Sequence, residues 1–191
     1  MSAVTQRKDL VRNRQRLIEA AAEVFLDRGP DVKLDEVARR AGLAASSLYR
    51  HFPTKDDLVE AVLTELMRPA LEAAERAALI PDPGEAFRTM FTESCTMPEA
   101  EGEAFNKLAY ASGRTLEHAL RLLTEVVEPT TSRLRAAGGL RAGLTVDDVA
   151  MFLRMTKATD TPEQRRMASD VLLAGMLAPD RLAAGAAGAH P

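Results

Sequence analysis

Apolar residues return every three to four positions along most of this chain, the period of helices with one buried face. Leu17, Ile18, Ala21, Ala22 and Phe25 make the first such stripe and predict a helix from about Leu10 to Arg28. Residues 1–9 before it read as a basic, mobile arm. Gly29-Pro30 stops the helix. A second helix is predicted from Leu34 to Ala41, with Asp35 and Glu36 in the first turn, and Gly42 closes it. A third, short helix spans about Ala45 to His51 and ends at Pro53. Thr54 is a good N-cap for a fourth, with Asp57 at its third position and Leu58, Val62, Leu66, Ala70 and Ala74 on one side as far as Leu79. After the break at Pro81–Gly84 the pattern predicts helices over 85–96, 99–112, 116–137, 146–159 and 162–177. Pro129 is expected to kink the longest of these.

No segment alternates with period two and no repeat is visible, so the expected fold class is all-α with about nine helices. An N-terminal three-helix helix-turn-helix domain (1–56) is expected to precede a helical bundle (57–180), and the Ala/Gly tail 181–191 is expected to be disordered. Composition agrees: 46% of the 191 residues are hydrophobic, 28% charged and only 4% aromatic. One cysteine, Cys95, excludes an internal disulfide framework. No apolar run is long enough for a membrane span, and the polar N-terminus has no secretory apolar core, so a cytoplasmic protein is expected.

The formal net charge of -3 argues against a nucleic-acid partner until its distribution is read. Residues 1–55 hold 11 Lys/Arg against 7 Asp/Glu, whereas the remainder holds 14 against 21. A basic first third on an acidic remainder suits a local polyanion contact. The third helix carries the chemistry for it. Leu48 and Phe52, four residues apart, can anchor it inward while Ser46, Ser47, Tyr49, Arg50 and His51 face out. Two short helices joined through a glycine turn match a helix-turn-helix, whose second helix meets base edges. Lys55 opens the next helix, where the dipole and free N–H groups favour a phosphate. Arg12, Arg14 and Arg16 either track phosphates or stay in solvent.

The run from Leu34 to Leu58, with its Leu48-Tyr-Arg-His-Phe52, the following Lys55 and the upstream Ala41-Gly42, resembles the DNA-binding signature of TetR-family regulators. The stretch Ile18–Gly29 fits as well, so the resemblance covers about residues 14–60. It departs at Ala44 and Lys33, where capping residues are usual, and at Ser46-Ser47, where the family commonly has Gly-Thr. The resemblance implies a homodimer on a double-stranded operator of inverted half-sites. It also implies a C-terminal domain for a small-molecule effector, whose binding spreads the reading heads and releases DNA. Repression is the expected outcome, with activation open.

Candidate effector-site residues are Phe87, Met90, Phe91, Ser94, Cys95, Phe105, Tyr110 and His118, which also suit a plain core. Phe152, Met167, Val171 and Met176 suit a dimer interface or an intramolecular core. His51, His118 and His190 lack metal-ligand spacing, and no nucleophile elbow or phosphate loop is present. Neither an enzyme nor a cofactor is therefore expected. A protein-interaction module without DNA binding is the other class to exclude.

Overall fold

The computed structural model describes residues 3–96, 98–157, 159 and 161–178, with side chains from Arg7 onward. The predicted tail 181–191 lies outside the described residues. Nine helices make up the described chain: α1 (Ala3–Arg28), α2 (Leu34–Arg40), α3 (Ala45–His51), α4 (Lys55–Ala78), α5 (Pro83–Ser94), α6 (Glu99–Ala109), α7 (Gly113–Ala136), α8 (Val146–Thr156) and α9 (Pro162–Met176). The all-α expectation holds, and the one β-type contact among the described residues is an isolated antiparallel bridge between Leu140 and Leu177. The expected mobile arm is instead helical from Ala3. No Gly or Pro interrupts residues 3–28, and Asp9–Arg12 and Gln15–Glu19 contacts one turn apart support it. Pro129 lies within α7 and Pro69 within α4; both helices continue through them.

Two compact units divide the chain. The first comprises Met1–Leu66 and Ala104–Ala119. In it α1, α2 and α3 pack on one another around Leu17, Ile18, Phe25, Val37, Leu48 and Phe52, all buried. Gly42 turns the chain between α2 and α3 at φ 65°, where a side chain is strained. Beneath it the Arg16 guanidinium donates to the Ala41 carbonyl at 2.6 Å, satisfying a group left free at the end of α2. Ion pairs Arg28–Glu36 and Arg40–Glu23 tie α2 to α1 at the surface, where such pairs stabilise by about 0–1 kcal/mol.

Thr54 caps α4 as predicted: the Asp57 amide donates to Thr54 Oγ1, and the Thr54 amide donates to Asp57 Oδ2. The first turns of α4 are also held by residues 112–118. Ser112 Oγ donates to Asp56 Oδ2 at 2.9 Å, and Arg114 grips Asp57 and Glu60 together. These pairs draw the Asp57 carboxyl down to about 2, the Arg114 hydrogen bond first and the Thr54 bonds after it. His118 Nε2 lies 2.9 Å from Thr64 Oγ1, whose proton is committed to the Glu60 carbonyl. Nε2 is therefore the donor.

The second unit comprises Met67–Glu103 and Leu120–Pro191. α9 packs on α5 and α8, and Asp82, Thr145 and Thr161 cap α5, α8 and α9. Arg133 closes the end of α4 by donating to the carbonyls of Ala78, Ile80 and Pro81. Lys157 is buried with its ammonium 3.2 Å from the Ser94 carbonyl, and Cys95 Sγ lies 3.3 Å from Thr156 Oγ1.

Candidate nucleic-acid interface

α3 is only seven residues long and has no side-chain cap, because Ala44 offers no acceptor. A helix this short is unstable by itself, so packing must hold it. Leu48 is fully buried and Phe52 nearly so, which fixes α3 on α1 and α2 with its opposite face outward. On that face Ser46, Tyr49 and Arg50 are exposed, Tyr49 to 49%, while Ser47, His51 and Lys55 are half-buried. All six sequence-predicted contact residues thus sit on α3 or the first residue of α4, and none is fully buried.

His51 is held below the usual histidine range, first by partial burial and then by the charges of Arg14 and Arg50. Its ring is 6.5 Å from that of Phe52. The Arg14 guanidinium lies over the same Phe52 ring, 5.2 Å from its centre. Arg14 therefore joins the face from α1. The sequence left it undecided beside Arg12, which pairs with Asp9, and Arg16, which bonds Ala41. The available signal was its position one turn before Leu17 and Ile18, on the stripe that packs inward.

The profile of bacterial regulatory proteins of the tetR family matches residues 17–62, from the buried stripe of α1 into α4. The chain carries a TetR-family DNA-binding domain. TtgW of Pseudomonas putida, an uncharacterized HTH-type transcriptional regulator, is 46% identical over 57 residues. Those residues are 29% of this chain and 42% of that protein, so the chain matches less than half the length of this curated relative. A putative tetR-family transcription regulator from Shewanella sp. PV-4 shares the fold at TM-score 0.69 and 20% identity, over 87% of this chain and 98% of that one. A TetR transcription regulatory protein from Mycobacterium vanbaalenii is 29% identical at TM-score 0.52, over 91% and 99%. The family profile and TtgW match only a stretch of about 46–57 residues, whereas the two solved structures match about nine-tenths of the chain.

The eight candidate effector residues divide between the units. Phe87, Met90, Phe91 and Ser94 are fully buried on α5, with Cys95 at its end. Phe105, Tyr110 and His118 belong to the first unit, where Phe105 is buried, Tyr110 is 63% exposed and His118 bonds Thr64. A cleft of about 650 Å³ beside α5 and α9 is lined by Thr92, Cys95, Arg165, Arg166 and Ser169, among others. Cys95 is the one sequence candidate on its wall. Ser169 is a wall residue whose buried hydroxyl has no hydrogen-bond partner.

Of the four candidate dimer residues, Met167 is 63% and Val171 66% exposed, Phe152 is half-buried, and Met176 is buried within its own chain. Met151 and Met155 on α8 are exposed too, which the sequence reading passed over. Met155, Met167, Ala168, Val171 and Leu172 line a shallow groove along α8 and α9. Among the described residues no group of three or more His, Cys, Asp or Glu is placed to hold a metal ion. No described helix is long and apolar enough to cross a membrane.

Proposed function

We propose that the chain is a ligand-responsive transcriptional regulator, a cytoplasmic homodimeric repressor rather than an enzyme, which leaves a palindromic operator when a small-molecule effector binds. One observation carries the reading: a short helix anchored by Leu48 and Phe52 presents serines, a tyrosine and cations outward, in a domain of the TetR family. Ser46 and Ser47 near its N-terminus suit base edges in the major groove. Tyr49, Arg50, His51 and Lys55 suit phosphates on either side and set the register.

Residues 57–180 then hold the effector and the dimer contact. The apolar α8–α9 groove with Met167 and Val171 suits a two-fold partner, as an operator of inverted half-sites requires. The effector candidates are Phe87, Met90, Phe91, Ser94 and Cys95 in the second unit and, separately, Phe105, Tyr110 and His118 in the first. An effector that prefers the DNA-free arrangement lowers DNA affinity by the same coupling free energy, typically about 1–3 kcal/mol.

The test is operator selection from genomic fragments followed by footprinting. Tyr49→Ala and Lys55→Ala are expected to weaken the footprint about tenfold or more, with thermal unfolding unchanged, since a hydrogen bond to a charged phosphate contributes about 1.5–3 kcal/mol. A footprint of parental strength in both variants would remove the assignment.

A further inference from the structure

Three arginines lie within one and a half turns of α1, and the fold uses them differently. Arg12 is paired with Asp9 at 3.0 Å. Arg16 donates to the Ala41 carbonyl at 2.6 Å and supports the helix-turn-helix corner. Arg14 lies over the Phe52 ring, and among the described residues no carboxylate or carbonyl accepts from it. A guanidinium held over a ring by cation–π attraction keeps its five N–H donors, and none of those of Arg14 is committed to an acceptor among the described residues. Phe52 is the C-cap of α3, so the Arg14 guanidinium lies at the C-terminal end of that helix, where its charge and that of Arg50 both act on His51.

We propose that Arg14 is a phosphate ligand of this chain's DNA complex, held for that role by Phe52 and acting beside Arg50 and His51. It rests on the DNA-binding reading above and extends the interface from α3 onto α1. Burial comes first, and the charges of Arg14 and Arg50 after it, in holding the His51 imidazole toward its neutral form. Two guanidinium charges acting at one side chain make a local positive patch, which attracts a polyanion. A guanidinium held over Phe52 also meets DNA partly ordered, so less side-chain freedom is lost than for a loose surface arginine. Helical structure continues N-terminally from Arg14 to Ala3, so the residue stands on a continuous helix rather than in a loose arm.

The experiment is a salt titration of full-length protein on a mixed-sequence DNA duplex of several helical turns, which needs no knowledge of the operator. The parent, Arg14→Gln, Arg14→Lys and, as controls, Arg12→Gln and Tyr49→Ala are compared. Each phosphate contact contributes about 0.9 to the slope of log affinity against log salt. Arg14→Gln is expected to lower that slope by about one unit, equally on duplexes of different sequence, while Arg14→Lys and Arg12→Gln keep it. Thermal unfolding is measured alongside. A lower melting temperature with an unchanged slope in Arg14→Gln means that Arg14 only covers Phe52, and overturns the proposal. If Tyr49→Ala weakens binding but the slope of Arg14→Gln equals that of the parent, Arg14 alone fails and the DNA-binding reading stands. A parent chain with no salt-dependent duplex binding overturns both.

Discussion

At the scale of single residues, the outward face of α3 depends on what lies behind it. Leu48 and Phe52 are buried, and truncating either is expected to loosen α3 at a cost of about 2–5 kcal/mol, because no side-chain cap compensates. Lys157 shows the opposite problem, a cation placed in the interior. Burial lowers it to about 8 from its ordinary value of 10.5, Cys95 opposing the shift and Arg165 adding to it. Between these values the unfolded chain holds the proton that the folded chain has released. The unfolded state thus binds more protons there, and stability rises with pH across that window. Urea unfolding between pH 8 and 10.5 is expected to show that rise in the parent and to lose it in Lys157→Met. An identical pH dependence in both would show that the ammonium is not desolvated.

Elements tell a different story from residues. The capped start of α4 is shared property: Asp57 closes the Thr54 cap, and residues 112–118 hold the same turn through Arg114 and Ser112. The first unit thus contains a segment from far along the sequence, within the region assigned to the effector domain. Exposed pairs contribute little each, but a guanidinium spanning two carboxylates fixes geometry. In Arg114→Ala the Asp57 carboxyl is expected to climb from about 2 towards its ordinary 3.8, with the Thr54 bonds retaining part of the shift. A carboxyl depressed in the folded state contributes stability that is complete above the ordinary value and lost as pH falls through about 2. Acid unfolding of the variant is therefore expected to begin at higher pH. Carboxyl titration followed by NMR checks both, and an unmoved Asp57 would mean that Arg114 is not its main partner.

For the molecule as a whole, the unused apolar face is the informative feature. Met155, Met167 and Val171 are exposed on two helices that pack on each other, whereas Met176 is buried at the end of α9. A face of this kind is usually covered by a partner. Val171→Glu is expected to convert the proposed dimer to a monomer in sedimentation velocity and, with it, to abolish the proposed tight operator binding, because one helix-turn-helix contacts only one half-site. A variant that sediments like the parent would move the two-fold contact elsewhere.

The helices were legible because their signals are local. Period 3.6, Gly42, Pro53 and the Thr54 cap act within a few residues, and so does the Leu48–Phe52 spacing that turns α3 outward. The helical arm was missed because nothing in a basic stretch marks whether a helix starts at residue 3 or 10. Tyr110 and Met176 show the limit from the other side: an apolar side chain on a helix carries no label for cavity, surface or core. By itself, then, the sequence determined which segments coil, where they stop and which face of the third one carries polar groups, since each follows from neighbours along the chain. Tertiary structure alone decided that Arg14 lies over Phe52, that Arg114 grips α4 across more than fifty residues, and that Met176 is enclosed while Val171 is bare. Those outcomes depend on contacts between distant segments, and each arises only when the packed elements meet.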